Sequence, residues 1–179
     1  MNSDILTKLP FWLIVIILFS CSYPKEKKEL SVDSISQDNE EKLRFQEKML
    51  LGKEIDGLAK ILGDTVECSR RVVLFYTGFD CGSCIETGFR MVNAVDRLGS
   101  MESSIVIECQ ANKSSDQITY SYPHYIFSDA DDLLRKSLKY VKTPVVFFLD
   151  EESRLKRVYY PVSGEKIDSA FVKDFLSGL

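Results

Sequence analysis

The chain has 179 residues, 45% of them hydrophobic and 28% charged, with a net charge of −4 at pH 7. That length and apolar content support one domain with a packed core and a soluble surface, and little more. The acidic balance leaves no basic face, which argues against nucleic acid as a partner.

Lys8 precedes an unbroken apolar run, "PFWLIVIILF", at residues 10–19. A spanning helix needs about 20 apolar residues, so this run is short for one and has the length of a signal-peptide h-region. Directly after it stands "LFSC", ending at Cys21. This resembles the cleavage box of bacterial lipoproteins. The resemblance implies that residues 1–20 are a signal peptide and that Cys21 becomes the lipidated first residue, held stably when it carries more than one acyl chain. An ordinary signal peptide or an uncleaved anchor is the plainer alternative. Residues 21–40 are polar and aperiodic and read as a flexible tether. The folded domain is expected over residues 41–179.

Leu43, Leu50, Leu51, Ile55, Leu58 and Leu62 recur at helical spacing, which predicts a helix over residues 41–62, stopped by Gly63-Asp64. "RVVLFYT", Arg71–Thr77, is β-branched and aromatic without polar alternation, as a strand buried on both faces is. From Ser83 the pattern turns helical through Ile85, Phe89, Val92, Val95 and Leu98, and ends at Gly99. "SSIVIEC", Ser103–Cys109, is a second buried strand, so strand, helix and strand make a parallel right-handed βαβ unit. Residues 110–127 carry no clear pattern. "SDADDLLRKSLKY", residues 128–140, opens with capping residues and acids and closes with bases, which predicts a helix. Val145–Leu149 is a third buried strand, residues 154–162 a fourth that forms a hairpin with it, and residues 167–179 a closing amphipathic helix.

The chemistry concentrates in "DCGSC". Residues three apart share a helix face, so Cys81 and Cys84 are placed to close a small disulfide. Cys81 falls at the helix N-terminus, where unpaired N–H groups and the helix dipole favour the thiolate, the attacking form in disulfide exchange. Cys81 is therefore the expected nucleophile and Cys84 the more buried resolving thiol.

A Cys-x-x-Cys at the first strand-to-helix junction of this element order resembles the thioredoxin-like fold over roughly residues 65–178. The resemblance implies an α/β domain with a central four-stranded mixed sheet, a parallel βαβ half plus a C-terminal β-hairpin, flanked by helices. It implies a cis-proline at Thr143-Pro144, with the backbone of Thr143 binding the substrate chain. Three departures stand out. Asp80 replaces the tryptophan before the first cysteine; its carboxylate should oppose thiolate formation, and Phe79 is the residue left to supply apolar cover. Phe75 stands where thioredoxins carry a buried acid, so a water or Glu86 would have to move the proton. The dipeptide between the cysteines is Gly82-Ser83.

Other readings of the cysteines stay open. In an oxidising envelope the pair is a candidate structural disulfide, although a bridge within one helical turn constrains little chain. Cys81, Cys84, Cys109 and His124 are a candidate metal set, of a zinc or copper type, within a non-catalytic binding module. Cys109 ends the second strand at the same edge as Cys81 and is a candidate third thiol; as a small buried residue it needs no role. Cys68 should lie at the opposite edge. The reading taken forward is a lipid-anchored envelope domain, on a bacterial membrane through Cys21, that exchanges thiols and disulfides with cysteine-containing envelope proteins. It uses no dissolved cofactor and no metal, and draws on a membrane or envelope thiol electron donor.

Overall fold

A computed structural model describes residues 32–63, 71–98, 103–109, 114–139 and 141–177. The elements in chain order are α1 (Val32–Leu50), α2 (Leu58–Leu62), β1 (Arg71–Thr77), α3 (Gly82–Arg97), β2 (Ser103–Cys109), α4 (Ser114–Thr119), β3 (Ile126–Asp129), α5 (Leu133–Ser137), β4 (Val145–Leu149), β5 (Leu155–Tyr159) and α6 (Ser169–Leu176). Residues 40–179 form one compact unit. The expected signal peptide, Cys21 and Cys68 lie outside the described residues. Among the described residues no helix is long and apolar enough to cross a membrane.

The strands form one sheet in the order β3-β2-β1-β4-β5. β1 pairs parallel to β2, with Thr77 opposite Cys109, and antiparallel to β4. β2 pairs parallel to β3, and β4 antiparallel to β5. The parallel half and the hairpin expected from the sequence are present, with five strands among the described residues rather than four. The extra strand is β3, inside the stretch that carried no pattern.

Because β1, β2 and β4 are covered on both sides, their alternate residues enter two cores. Val73, Phe75, Ile107, Val145 and Phe147 pack with Leu58, Leu62, Leu134 and Leu138 from α2, α5 and the turn after α5. Val72, Leu74, Val106, Val146 and Phe148 pack with Phe89, Val92 and Val95 of α3 and with Val172 and Phe175 of α6. Each fully buried phenylalanine contributes roughly 1.5–3 kcal/mol relative to exposure. Gly88 lets α3 lie close on β1: a Cβ there would stand 2.6 Å from Leu74 Cδ1.

Three expectations are corrected. The helix over residues 41–62 is two helices, because Gly52 and Gly57 take φ of 77° and 104°, values a continuous helix does not allow. Between them the chain runs along the edge of β5: the Gly52 N–H donates to Leu155 O (2.7 Å) and the Leu155 N–H to Lys53 O (2.8 Å). That covers an otherwise open sheet edge. Leu51 is consequently exposed, while Leu50, Ile55, Leu58 and Leu62 are buried. Gly63 does cap α2. The helix over residues 128–140 shrinks to α5, since Ser128 and Asp129 complete β3. Asp129 still caps it, its carboxylate accepting from Leu133 N–H (2.8 Å) and Leu134 N–H (2.9 Å). Finally, α1 begins at Val32, so part of the expected tether has helical backbone.

Candidate functional site

β1 delivers Thr77 to the end of the sheet, and the turn Gly78-Phe79-Asp80 leads to Cys81, the N-cap of α3. The turn is closed by the Asp80 N–H donating to Thr77 O (3.1 Å) and the Thr77 N–H donating to Asp80 Oδ2 (2.7 Å). The N–H groups of Cys84 and Ile85 both donate to Cys81 O at 2.9 Å, which starts the helix. Cys81 is exposed and Cys84 half-buried, and both are free thiols.

Four interactions lower the pKa of the Cys81 thiol. The Cys84 thiol acts most strongly, followed by the Ser83 hydroxyl, 3.1 Å away, the backbone N–H of Cys84 and the backbone N–H of Ser83. Against some desolvation, they bring the pKa down to about 7. Thiolate is thus a major form at neutral pH, and both contributing backbone N–H groups belong to the first turn of α3. The same Cys84–Cys81 hydrogen bond raises Cys84, and desolvation adds to the rise. The backbone of Ser163 and the positive charge of Lys142 work the other way at Cys84.

The loop before β4 comes to the same place. Its Thr143-Pro144 peptide is cis, with Pro144 buried. The Thr143 hydroxyl donates to Asp80 Oδ1 (2.9 Å). The Asp80 carboxylate, expected to oppose the thiolate, is therefore held by Thr77 and Thr143, and it is not among the main influences on Cys81. Phe79, expected to give apolar cover, is 93% exposed. Phe75 is fully buried, and Glu86 is exposed with its charge acting on Tyr120. Lys142 and the Ser163 backbone were not foreseen. Lys142 had one available signal, its position directly before Thr143-Pro144.

The remaining candidates have hydrogen-bond or ion-pair partners of their own. Cys109 is 1% exposed, and its thiol donates to Asp132 Oδ1 (3.1 Å). Burial first, then that hydrogen bond, pushes its pKa up to about 12, so it stays a thiol. His124 Nε2 lies 3.2 Å from Asp96 Oδ2. Among the described residues no three His, Cys, Asp or Glu side chains are grouped to hold a metal ion, so the candidate set of Cys81, Cys84, Cys109 and His124 is not assembled.

No protein-family model and no curated protein matches the sequence. Solved structures do match. One is a secreted disulfide oxidoreductase of Mycobacterium tuberculosis described as homologous to Escherichia coli DsbE, 13% identical, with a TM-score of 0.50 over 64% of this chain and 85% of that one. A second is an uncharacterized conserved protein of Geobacillus kaustophilus, 18% identical, with a TM-score of 0.50 over 72% and 82%. A third is a thioredoxin-like protein in its oxidised form, 16% identical, with a TM-score of 0.48 over 63% and 80%. At such identities the likeness is one of fold: the domain is an α/β domain of thioredoxin-like architecture.

Proposed function

We propose that this domain carries out thiol–disulfide exchange on cysteine-containing proteins. The supporting observation is the arrangement at the start of α3: an exposed Cys81 with a pKa near 7, hydrogen-bonded to a less exposed Cys84 whose own pKa is raised. The two thiols are thereby driven apart in role. One is ready to attack, and the other keeps its proton until it is needed.

In the reducing direction the Cys81 thiolate attacks one sulfur of a substrate disulfide. That S–S bond breaks, a mixed disulfide forms, and the first substrate sulfur leaves as thiolate and takes up a proton. Cys84 then loses its proton and attacks Cys81, which releases the second substrate sulfur as thiolate and closes the Cys81–Cys84 disulfide. Two electrons have passed to the substrate, and an envelope or membrane thiol donor restores the pair. The reverse sequence oxidises a substrate dithiol. The positive charge of Lys142 favours the Cys84 thiolate at the second step. The backbone of Thr143, beside cis-Pro144, offers the substrate chain a strand to pair with.

The finer reading places the domain in the bacterial cell envelope, lipid-anchored through Cys21. The apolar run before "LFSC" supports it, as does the secreted nature of the Mycobacterium tuberculosis protein. Replacing Cys84 by serine tests the exchange reading. With the second step blocked, Cys81 should remain joined to its substrates, visible as adducts on non-reducing gels and absent from a Cys81→Ser, Cys84→Ser double variant. A Cys84→Ser protein that accumulates no adducts contradicts the reading.

A further inference from the structure

We infer that Asp80 is a positioning residue, tying the turn that carries the nucleophile to the loop that receives the substrate chain; this rests on the exchange reading above. The residue directly before Cys81 is hydrogen-bonded to the residue directly before cis-Pro144, across 63 positions of sequence. Asp80 uses both carboxylate oxygens for this. Oδ2 accepts the Thr77 N–H at 2.7 Å, and Oδ1 accepts the Thr143 hydroxyl at 2.9 Å. The Phe79 N–H closes the same turn on Thr77 Oγ1 at 3.3 Å. Asp80 and Thr143 are both partly buried, which shields the bond from water.

A carboxylate at this length offers one acceptor oxygen to each of the two donors. Asparagine keeps one acceptor oxygen for the Thr77 N–H, and its NH₂ group would have to donate to the Thr143 hydroxyl oxygen, which reverses that bond and leaves both bonds neutral. Hydrogen bonds to an ionised acceptor are also roughly twice as strong as neutral ones. The same arrangement gives Asp80 a place beside the nucleophile, where a free carboxylate would be adverse.

A thread from Cys81 through Asp80 to Thr143 fixes where the Thr143 backbone stands relative to the Cys81 sulfur. A peptide docked on that backbone then presents its disulfide at a set distance. Misplacement by about 1 Å can cost on the order of a hundredfold in rate. A small disulfide that needs no docking is indifferent to the bond. Asp80 and Thr143 should therefore control the ratio of the two rates.

The test is a single-turnover comparison on the reduced full chain. One oxidant is the small aromatic disulfide 5,5′-dithiobis(2-nitrobenzoate), and the other is a ten-residue peptide closed by its own disulfide. Each is reduced to thiols as Cys81 and Cys84 become a disulfide. In Asp80→Ala and Thr143→Val, which remove the bond from either side, the ratio of peptide rate to small-disulfide rate should fall about tenfold or more. Thr143→Ser, which keeps the hydroxyl, should restore it. A Thr143→Val protein with the wild-type ratio overturns the inference, as does a Thr143→Ser protein as impaired as Thr143→Val. A wild-type protein that reduces neither disulfide overturns the exchange reading itself, and the positioning role with it.

Discussion

The Cys81 sulfur and the Ser83 hydroxyl oxygen lie 3.1 Å apart at the first turn of α3. Ser83 is thus more than a spacer between the cysteines: its hydroxyl is the second largest influence lowering the Cys81 pKa, after Cys84. Alkylation of Cys81 by iodoacetamide should rise with pH about a midpoint near 7 rather than 9.0. Ser83→Ala removes a stabilising donor from the thiolate, so the midpoint moves up and the rate at pH 7 falls, roughly threefold to fivefold. Cys84→Ala should move it further. An unshifted pH profile in both variants would show that neither group sets the nucleophile.

Cys109 should be silent in the folded protein. Burial and the bond to Asp132 hold its pKa near 12, against about 7 for Cys81. At pH 8 its thiolate fraction alone makes it about ten-thousandfold less reactive. Timed alkylation followed by peptide mass analysis should label Cys81 within the first interval and Cys109 only after denaturant is added. Comparable labelling of both in the native protein would contradict the buried placement and revive Cys109 as a third thiol.

Gly88 is predicted to tolerate a side chain poorly. A Cβ would come within 2.6 Å of Leu74 Cδ1, so the fully buried Leu74 side chain must repack or α3 must move away from β1. Gly88→Ala should destabilise by about 1–3 kcal/mol despite alanine's better helix propensity. Urea unfolding measures this. In a Leu74→Ala background the added cost should shrink, because the clashing methyl is gone.

Much of the fold is legible where burial is complete. Arg71–Thr77, Ser103–Cys109 and Val145–Leu149 are strands at the limits their unbroken apolar runs suggest. β3 escapes notice because it is four residues long, with only Ile126 and Phe127 apolar, at the sheet edge. The break at Gly52 and Gly57 is hidden because Leu50, Ile55, Leu58 and Leu62 keep helical spacing and are all buried, although Leu50 belongs to α1, Leu58 and Leu62 to α2, and Ile55 to the segment between them. At residues 128–140 the capping chemistry is real, but Asp129 provides it from the end of a strand.

The site divides in the same way. The spacing of Cys81 and Cys84 and the Thr143-Pro144 pair are local and can be read directly. The Asp80–Thr143 bond joins residues 63 apart, and the effect of Ser163 on Cys84 comes through its backbone. Neither leaves a mark on local composition. The local sequence shows Asp80 only as a neighbour of Cys81 and not as the partner of Thr143.

The exchange reading depends most directly on one quantity, the reduction potential of the Cys81–Cys84 pair. Equilibration of the full chain in graded dithiol/disulfide buffers, read by mass after acid quench and alkylation, measures it. A reversible two-electron transition between about −300 and −100 mV is predicted, with the folded state retained on both sides. A pair that never oxidises, or that reduces only when the protein unfolds, would contradict the reading and leave the two cysteines without a redox function.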